Sequence, residues 1–387
     1  MADVARDEAP AADAALAAEA INAFGADLYR ELPTEGNVVF SPSSIALALA
    51  MARCGAAGTT ANEMDAVLHD VASDPHGSWL NALDRELGAR NETYEDLNGT
   101  QEIVLRIANA AFAQRGLAFK PAYLEALASR FGAGIQTVDY AGAAARAADA
   151  INAWVSAQTE GRITDLVDEG TIDPNTILTL VNAIYMKAPW LLPFDPAQTS
   201  DGAFTPSDGP TVQVPMMHAD TKFDFADGMG WQAVDLRYAG NTMAMSVILP
   251  DDLRSFEATL DDRVLADVFA RFEEAGVDLT LPRFGIETNV DLEDALSTMG
   301  MPTAFGGAAD FSGITADAEA AISAVVHQAN IDVDELGTEA AAATAAAMAT
   351  SGPPRYVTMT VDRPFLFVIR DLPTGTILFM GRVTDPS

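Results

Sequence analysis

The order of apolar and polar positions divides the chain into a helix-rich first part and a strand-rich remainder. Apolar residues recur at helical spacing in segments that predict helices at residues 12–31, 43–53, 59–68, 78–96, 121–131 and 143–160. Short apolar runs predict strands at residues 177–185, 243–249, 321–331, 365–369 and 376–383. Early helices followed by mostly antiparallel strands favour an α+β layered fold over a Rossmann-type alternation.

A tract of small residues between Asp334 and Pro353 fits neither pattern. Alanine favours helix formation, so one interpretation is a surface helix or a linker. A short helix without an apolar stripe is marginal in water, however. The other interpretation is a segment stored outside a sheet that can become an interior strand. Strand alternation would then place Glu339 on one face and only small residues on the other: Thr338, Ala340, Ala342, Thr344 and Ala346.

The tract resembles the hinge and reactive-centre loop of the serpin family, and further segments resemble family motifs in the same order. These segments are residues 37–48 (NVVFSPSSIALA), 182–190 (NAIYMKAPW), 278–284 (DLTLPRF), 310–314 (DFSGI), 363–367 and 378–383. The resemblance covers nearly the whole chain. It implies a single serpin domain at residues 13–387, after an acidic, alanine-rich extension at residues 1–12. The implied fold has three β-sheets, about eight or nine helices and an exposed reactive-centre loop.

The resemblance also assigns roles to particular residues. Hinge and loop correspond to residues 335–354, and the hinge comprises Glu335, Gly337, Thr338, Glu339, Ala340, Ala341, Ala342 and Ala343. Trp190 matches the breach, the place where loop insertion begins. The family's shutter, a polar cluster beneath the large sheet, would consist of Ser41, Ser44, Asn182 and His327. These side chains are expected to hydrogen-bond with one another, because an unpaired buried polar group costs about 1–3 kcal/mol.

Suicide inhibition of a serine protease is the activity that the resemblance implies. The protease would attack the loop and form an acyl-enzyme, and the cleaved loop would insert into the large sheet and trap the covalent complex. Small hinge residues are typical of inhibitors, because oversized inward side chains would slow insertion. The implied partner is the target protease, and the protein would be a monomer and not an enzyme. The alternative is a non-inhibitory serpin that acts as a binding or chaperone-like protein.

The position of the scissile bond depends on how the loop is counted. Counting forward from Glu335 places the bond between Ser351 and Gly352. The alternatives are Thr350, from a backward count, and Met348, which has the largest apolar side chain of the tract. None of these residues is basic, which disfavours a trypsin-like target. The loop therefore predicts a subtilisin-, elastase- or chymotrypsin-like serine protease.

The chain carries a formal net charge of −34, from 56 acidic and 22 basic residues. Such a charge repels nucleic acid and anionic membranes, so neither is expected as a partner. Repulsion between carboxylates reaches over roughly 10 Å at about 0.1 M salt and over roughly 3 Å at about 1 M salt. The composition therefore predicts a halophilic source and loss of structure at low ionic strength.

The remaining motifs point to no cofactor and no metal. The four histidines have no zinc-binding spacing, and the chain has no Gly-x-Ser-x-Gly elbow or phosphate-binding glycine loop. Cys54 is the only cysteine, which excludes an internal disulfide. No apolar run approaches the length of a membrane span, and the N-terminus does not resemble a secretory leader. The sequence as written predicts a cytoplasmic protein, or an extracellular one if a leader has been removed.

Overall fold

The computed structural model describes residues 6–7, 9–73, 77–96, 99–167, 170, 172, 174, 176–315, 321–338 and 355–387. These residues form nine α-helices: α1 (Ala12–Glu31), α2 (Pro42–Arg53), α3 (Gly58–Val67), α4 (Gly77–Gly88), α5 (Pro121–Phe131), α6 (Tyr140–Gln158), α7 (Leu253–Glu257), α8 (Asp262–Ala270) and α9 (Glu293–Met299). None of the helices in this part of the chain is long and apolar enough to cross a membrane.

The strands occur mainly in the second half of the chain. Their bounds are β1 (Val38–Phe40), β2 (Thr93–Asp96), β3 (Gly99–Glu102), β4 (Val104–Gln114), β5 (Ile135–Val138), β6 (Leu178–Pro189), β7 (Ser200–Phe204), β8 (Val212–Gly228), β9 (Trp231–Arg237), β10 (Met243–Pro250), β11 (Glu273–Pro282), β12 (Phe284–Asp291), β13 (Ile322–Val333), β14 (Gly337–Thr338), β15 (Tyr356–Thr360), β16 (Phe365–Asp371) and β17 (Ile377–Val383).

These strands form three sheets in the described residues. A nine-stranded sheet has the order β1-β17-β16-β10-β9-β8-β11-β15, with β7 paired to β8. A six-stranded sheet has the order β12-β13-β14-β6-β4-β5, and β2 and β3 form a separate two-stranded sheet. The α+β class and the three sheets expected from the sequence are confirmed.

Two strands at the centre of the six-stranded sheet run parallel to each other. β6 and β13 pair from Leu178 opposite Ile322 to Ile184 opposite Ala329. β4 flanks β6 and β12 flanks β13, and both of these outer pairings are antiparallel. Nearly every residue of β6 and β13 is buried, which explains their almost continuous apolar sequence.

Helix α2 lies between the two large sheets. Its N-cap residue, Ser41, accepts a hydrogen bond on its hydroxyl from the N–H of Ser44 at 3.2 Å, and Pro42 opens the first turn. All twelve residues of α2 are buried, and the helix contacts β4 and β6 as well as β17. A helix that is apolar on every side is expected in such a position. α2 thereby carries Ser41 and Ser44 to the buried face of the six-stranded sheet.

Most predicted helices agree with the structure, and one is shorter than predicted. Helices α1 and α5 have the predicted bounds, but the helix expected at residues 78–96 ends at Gly88 as α4. The Asn91 side chain explains this end. Its amide donates to the carbonyl of Gly88 at 3.2 Å, and its Oδ1 accepts from the N–H of Leu105 at 2.9 Å. This contact turns the chain towards β4, and the residues after Asn91 form the two-stranded sheet instead of a helix.

Part of the expected N-terminal extension packs on the body of the protein. Arg6 pairs with Asp84 of α4 at 2.6 Å, and the N–H of Asp7 donates to the carbonyl of Ser129 in α5 at 2.9 Å. Helix α1 then begins at Ala12. The first described residues therefore contact both α4 and α5 before the chain enters α1.

Candidate functional site

The six-stranded sheet is split at one end. Beyond Ile184 and Ala329 the strands β6 and β13 part, and the two-residue strand β14 lies between them. β14 pairs antiparallel with both neighbours, so that Thr338 lies opposite Ala188 of β6 and opposite Val333 of β13. The expectation that the tract lies outside a sheet is therefore wrong for Gly337 and Thr338. The parted strands offer unpaired backbone groups, and β14 pairs with them.

Gly337 occupies a position that suits only glycine. Its φ is +154°, and a Cβ atom there would lie 2.2 Å from the carbonyl oxygen of Ala188. The preceding turn is closed by Asp334, whose Oδ1 accepts hydrogen bonds from the N–H groups of Leu336 at 2.8 Å and Gly337 at 3.2 Å. The absence of a side chain at Gly337 thus lets the chain leave β13 and approach β6 closely.

Thr338 is enclosed by aromatic side chains. It is 1% exposed, and its hydroxyl shares a hydrogen bond of 2.8 Å with the hydroxyl of Tyr238. Tyr238 stacks on Trp190 with ring centroids 4.5 Å apart, and the Trp190 indole N–H donates to the carbonyl of Asp334 at 2.9 Å. Burial raises the pKa of Tyr238, so its hydroxyl stays neutral and can pair with Thr338. Trp190 and Tyr238 together hold both ends of the turn that leads into β14.

Glu335 anchors the same turn from the other side. Glu335 is 3% exposed. Its Oε1 accepts hydrogen bonds from Arg283 Nε at 2.8 Å, from Arg283 Nη2 and from the hydroxyl of Thr199. Burial alone would raise the pKa of Glu335, but the hydrogen bonds from Arg283 and Thr199 hold it below its ordinary value. Glu335 is therefore a carboxylate that ties the start of the expected hinge to Thr199, just before β7, and to Arg283, just before β12.

A row of polar side chains crosses the buried middle of the six-stranded sheet. Asn109, Asn182 and His327 lie opposite one another on β4, β6 and β13. The Asn182 amide donates to the Oδ1 of Asn109 and to the hydroxyl of Ser44, and its Oδ1 bonds to His327 Nδ1. His327 Nε2 accepts from the N–H of Ser41 at 3.1 Å. The structure thus brings together Ser41, Ser44, Asn182 and His327, the four residues expected in one cluster.

These contacts fix the protonation of His327. Because Nε2 accepts from a backbone N–H, the ring carries its proton on Nδ1 and donates it to Asn182. Complete burial lowers the pKa of His327 to about 3, so the ring is neutral near pH 7. The hydrogen bond between His327 and Asn182 is therefore a neutral link between β13 and β6. These are the two strands that separate beyond Ile184 and Ala329.

Sequence reasoning missed four residues of this site: Asn109, Thr199, Tyr238 and Arg283. Asn109 alone carried a local signal, because it is a single polar residue among the alanines of β4. The others meet the hinge only through contacts between distant segments of the chain. Glu339, Ala340, Ala341, Ala342 and Ala343 of the predicted hinge lie outside the described residues, as do Met348, Thr350, Ser351 and Gly352 at the predicted scissile bond. In the described part of the chain, no group of three His, Cys, Asp or Glu side chains is placed to hold a metal ion.

Comparison with known proteins gives one family. The family model described as serpin (serine protease inhibitor) matches residues 19–386. The chain is 39% identical to an uncharacterized serpin-like protein of Thermococcus kodakarensis, over 95% of this chain and 85% of that protein. It is 35% identical to the leukocyte elastase inhibitor of Sus scrofa, over 94% of this chain and 97% of that protein.

Solved structures agree with this result. The native state of tengpin, a thermophilic serpin, has a TM-score of 0.86 at 26% identity and covers 99% of this chain and 96% of tengpin. Thyroxine-binding globulin in complex with thyroxine has a TM-score of 0.82 at 29% identity, over 95% of this chain and 99% of that structure.

Proposed function

Because this chain belongs to the serpin family, we propose that it is a suicide-type inhibitor of serine proteases that traps the acyl-enzyme by inserting its cleaved loop into the six-stranded sheet. The observation that carries the proposal is β14. Gly337 and Thr338 already lie between β6 and β13, in line with the position that a longer inserted strand would take once these two strands separate. In this proposal Glu335, Gly337 and Thr338 act as the hinge, Trp190 marks the breach, and the polar row acts as the shutter.

The energy for trapping would come from the completed sheet. β6 and β13 are each twelve residues long, and an inserted strand of that length spans about 40 Å at roughly 3.3 Å per residue. Each new ladder hydrogen bond contributes about 0.5–1.5 kcal/mol, so a dozen give on the order of 10 kcal/mol. This is comparable with the whole stability of a typical domain. The intact protein would then be a trapped, higher-energy state.

The register of β14 identifies the residue that would reach the polar row. β14 is antiparallel to both neighbours, so each further inserted residue advances one position along β6 and along β13. Thr338 lies opposite Ala188 and Val333, and six positions farther along both strands Thr344 would lie opposite Asn182 and His327. The two registers give the same residue independently. Thr344 would also point to the same buried face as Thr338, because the side-chain period of a strand is two.

Thr344 has the chemistry that this position would require. Insertion would separate Asn182 from His327 and leave an acceptor, Asn182 Oδ1, and a donor, His327 Nδ1–H, without partners. A threonine hydroxyl can donate to the first and accept from the second. The neighbouring residues from Ala340 to Ala343 are alanines, which cannot do so. This match of the tract to the polar row supports insertion as the mechanism.

Replacing Thr344 with valine should weaken the inserted form only. Valine has the same shape but no hydroxyl, so Asn182 and His327 would remain unpaired after insertion, at a cost of about 1–3 kcal/mol each. We expect the rise in melting temperature on loop cleavage to fall by a few degrees, as measured by calorimetry on intact and cleaved protein. Thr344→Ser keeps the hydroxyl and should behave like the wild type. Equal rises for Thr344→Val and wild type would contradict the register.

The target class follows from the residues near the expected scissile bond. Ser351 and Gly352, with Thr350 and Met348 as alternatives, include no basic side chain. Subtilisin-, elastase- or chymotrypsin-like proteases fit these residues better than a trypsin-like protease does. The relative named leukocyte elastase inhibitor supports protease inhibition as the general activity. In this proposal the protein acts as a monomer and forms a covalent complex with one protease molecule.

A gel assay tests this function directly. The protein is mixed with subtilisin, elastase or chymotrypsin in high salt, and we expect an SDS-resistant band at the combined mass of protease and inhibitor. Mass spectrometry of the released fragment should locate the cut between Met348 and Gly352. Cleavage of the loop without such a band would favour the alternative, a non-inhibitory serpin that acts as a binding or chaperone-like protein. The similarity to thyroxine-binding globulin, which was solved with thyroxine, is the observation in favour of that alternative.

High salt belongs to this test because of the charge of the chain. With a net charge of −34, most carboxylates have no cationic partner available, and their repulsion is screened only by dissolved ions. A halophilic setting is therefore part of the proposal, and the protein is expected to lose structure in dilute buffer.

A further inference from the structure

A cavity lies beside the outer edge of β4. β5 pairs with β4 only at residues 111–114. Before residue 111 this edge of β4 has no strand partner among the described residues. A cavity of about 390 Å³ lies between this part of β4 and the helices α2, α4, α5 and α6. A volume of this size is typical of sites that bind small molecules.

The wall of this cavity is partly apolar and partly polar. The segment that joins α5 to β5 contributes Gly132, Ala133 and Gly134, whose small side chains leave the space open. Large apolar side chains from α2, β4, α5 and α6 form one part of the wall: Leu47, Met51, Ile107, Phe131 and Trp154. Such a mixed wall suits an amphipathic ligand better than a wholly apolar one.

A second cavity, of about 380 Å³, adjoins the first and has a different character. The two share four lining residues: Asp84, Ile107, Ala108 and Gln158. Three arginines line the second cavity, Arg6, Arg85 and Arg106, and Asp84 is the acidic residue in its described wall. In the chain as a whole acidic residues outnumber basic residues by 56 to 22. Large apolar side chains therefore lie next to a local excess of positive charge.

The arginines of the second cavity differ in their ion pairs. Arg6 pairs with Asp84 at 2.6 Å. Arg106 pairs with Glu160 at 2.9 Å. Arg85 is exposed and forms no ion pair with a described residue, and its Nη1 has one long contact, of 3.4 Å, with a backbone carbonyl. Arg85 is thus a cation in the cavity wall that an anionic group could bind.

Arg6 offers a second donor at the same place. Its Nη1 and Nη2 are bonded to Asp84 and to the carbonyl of Arg130. Its Nε is buried and has no hydrogen-bond partner among the described residues. A buried donor without a partner is unfavourable, so an acceptor on a ligand would be stabilised there.

We propose that the two cavities bind an amphipathic carboxylic acid, with one carboxylate at the end of a long apolar chain. The apolar chain lies in the first cavity, against Met51, Phe131 and Trp154. The carboxylate lies in the second cavity and accepts hydrogen bonds from Arg85 and from Arg6 Nε. Hydrogen bonds in which both groups are charged are among the stronger ones in proteins. The proposal goes beyond protease inhibition and does not depend on it.

Fluorescence quenching tests this site. The probe is ω-bromodecanoic acid, whose bromine quenches tryptophan fluorescence, and ω-bromodecanol is its uncharged counterpart. Because Trp154 lies in the wall of the first cavity, quenching that occurs in the wild type and is lost in Trp154→Phe reports a ligand at this place. The titration is done in high salt, which screens the general repulsion between the anion and the acidic protein. We expect saturable quenching, with the acid bound about tenfold more tightly than the alcohol.

Replacing Arg85 with glutamine should remove this preference. The affinity of Arg85→Gln for the acid should fall about tenfold, to that for the alcohol, and its affinity for the alcohol should not change. Arg263→Gln is the matched control, because Arg263 is an exposed arginine on α8 that lines neither cavity. It should bind the acid like the wild type.

Three results would overturn the proposal: no quenching that depends on Trp154, equal affinities of the wild type for the acid and the alcohol, or a preference for the acid that persists in Arg85→Gln. No protease takes part in these titrations. Failure of the ligand site therefore leaves the proposed inhibitory function untouched, and failure of the inhibitory function leaves the ligand site untouched.

Discussion

Cleavage within the loop at residues 335–354 is expected to raise the melting temperature by on the order of 10 °C. The reason is that the six-stranded sheet would contain only part of an inserted strand before cleavage and a full inserted strand after it. Of the described loop residues, Gly337 and Thr338 lie between β6 and β13, and these two strands pair directly with each other from Leu178 to Ile184. After cleavage a full strand can enter, and the added ladder hydrogen bonds contribute on the order of 10 kcal/mol. Calorimetry of the intact and the cleaved protein in high salt measures this difference.

The calorimetric scan should be repeated at several heating rates. The apparent melting temperature of a kinetically trapped state depends on its unfolding barrier as well as on its free energy of unfolding. Protein cleaved by subtilisin, elastase or chymotrypsin is suitable once mass spectrometry has placed the cut inside the loop. If cleaved and intact protein melt at the same temperature, no energy is stored in the intact sheet. The proposed mechanism would then have no source for the trapping step.

Thr338→Arg is expected to convert the protein from an inhibitor into a substrate. Thr338 is 1% exposed and bonded to Tyr238, so an arginine there would bring a large, charged side chain into a closed apolar space. Overpacking alone adds about 1–3 kcal/mol to the barrier for insertion, which slows it about tenfold, and the buried charge adds to this. Deacylation of the acyl-enzyme would then be faster than insertion of the cleaved loop. The stoichiometry of inhibition should rise about tenfold or more, as measured by titration of residual protease activity.

Two controls make the result specific to the hinge. Thr338→Ser keeps the hydroxyl that pairs with Tyr238 and should inhibit like the wild type. The fold of Thr338→Arg should persist, because β6 and β13 still pair with each other below the split from Leu178 to Ile184. Cleaved Thr338→Arg should also lack the gain in melting temperature. Full inhibition by Thr338→Arg would show that the residue at position 338 does not have to lie within the sheet for the cleaved loop to insert.

Elements with local signals were predictable from the sequence. Helix α5 has its predicted bounds because Pro121 occupies its first turn and Gly132, with a φ of +61°, ends it in the left-handed conformation. The helix predicted at residues 78–96 is too long, because its end depends on Asn91, whose side chain bonds to Leu105 of β4. Propensity along the chain carries no information about such a contact.

The candidate site divides in the same way. By itself the sequence determined the small-residue tract, the glycine at 337 and the net charge of −34, because each is a property of residue type and spacing. The four polar residues proposed as the shutter came from the resemblance to the family. Only the tertiary structure decided that Thr338 is already inside the sheet, that Tyr238 and Arg283 hold the hinge, and that Asn109 extends the polar row to β4. Strand register joins residues far apart along the chain, and no local pattern specifies which of them become neighbours.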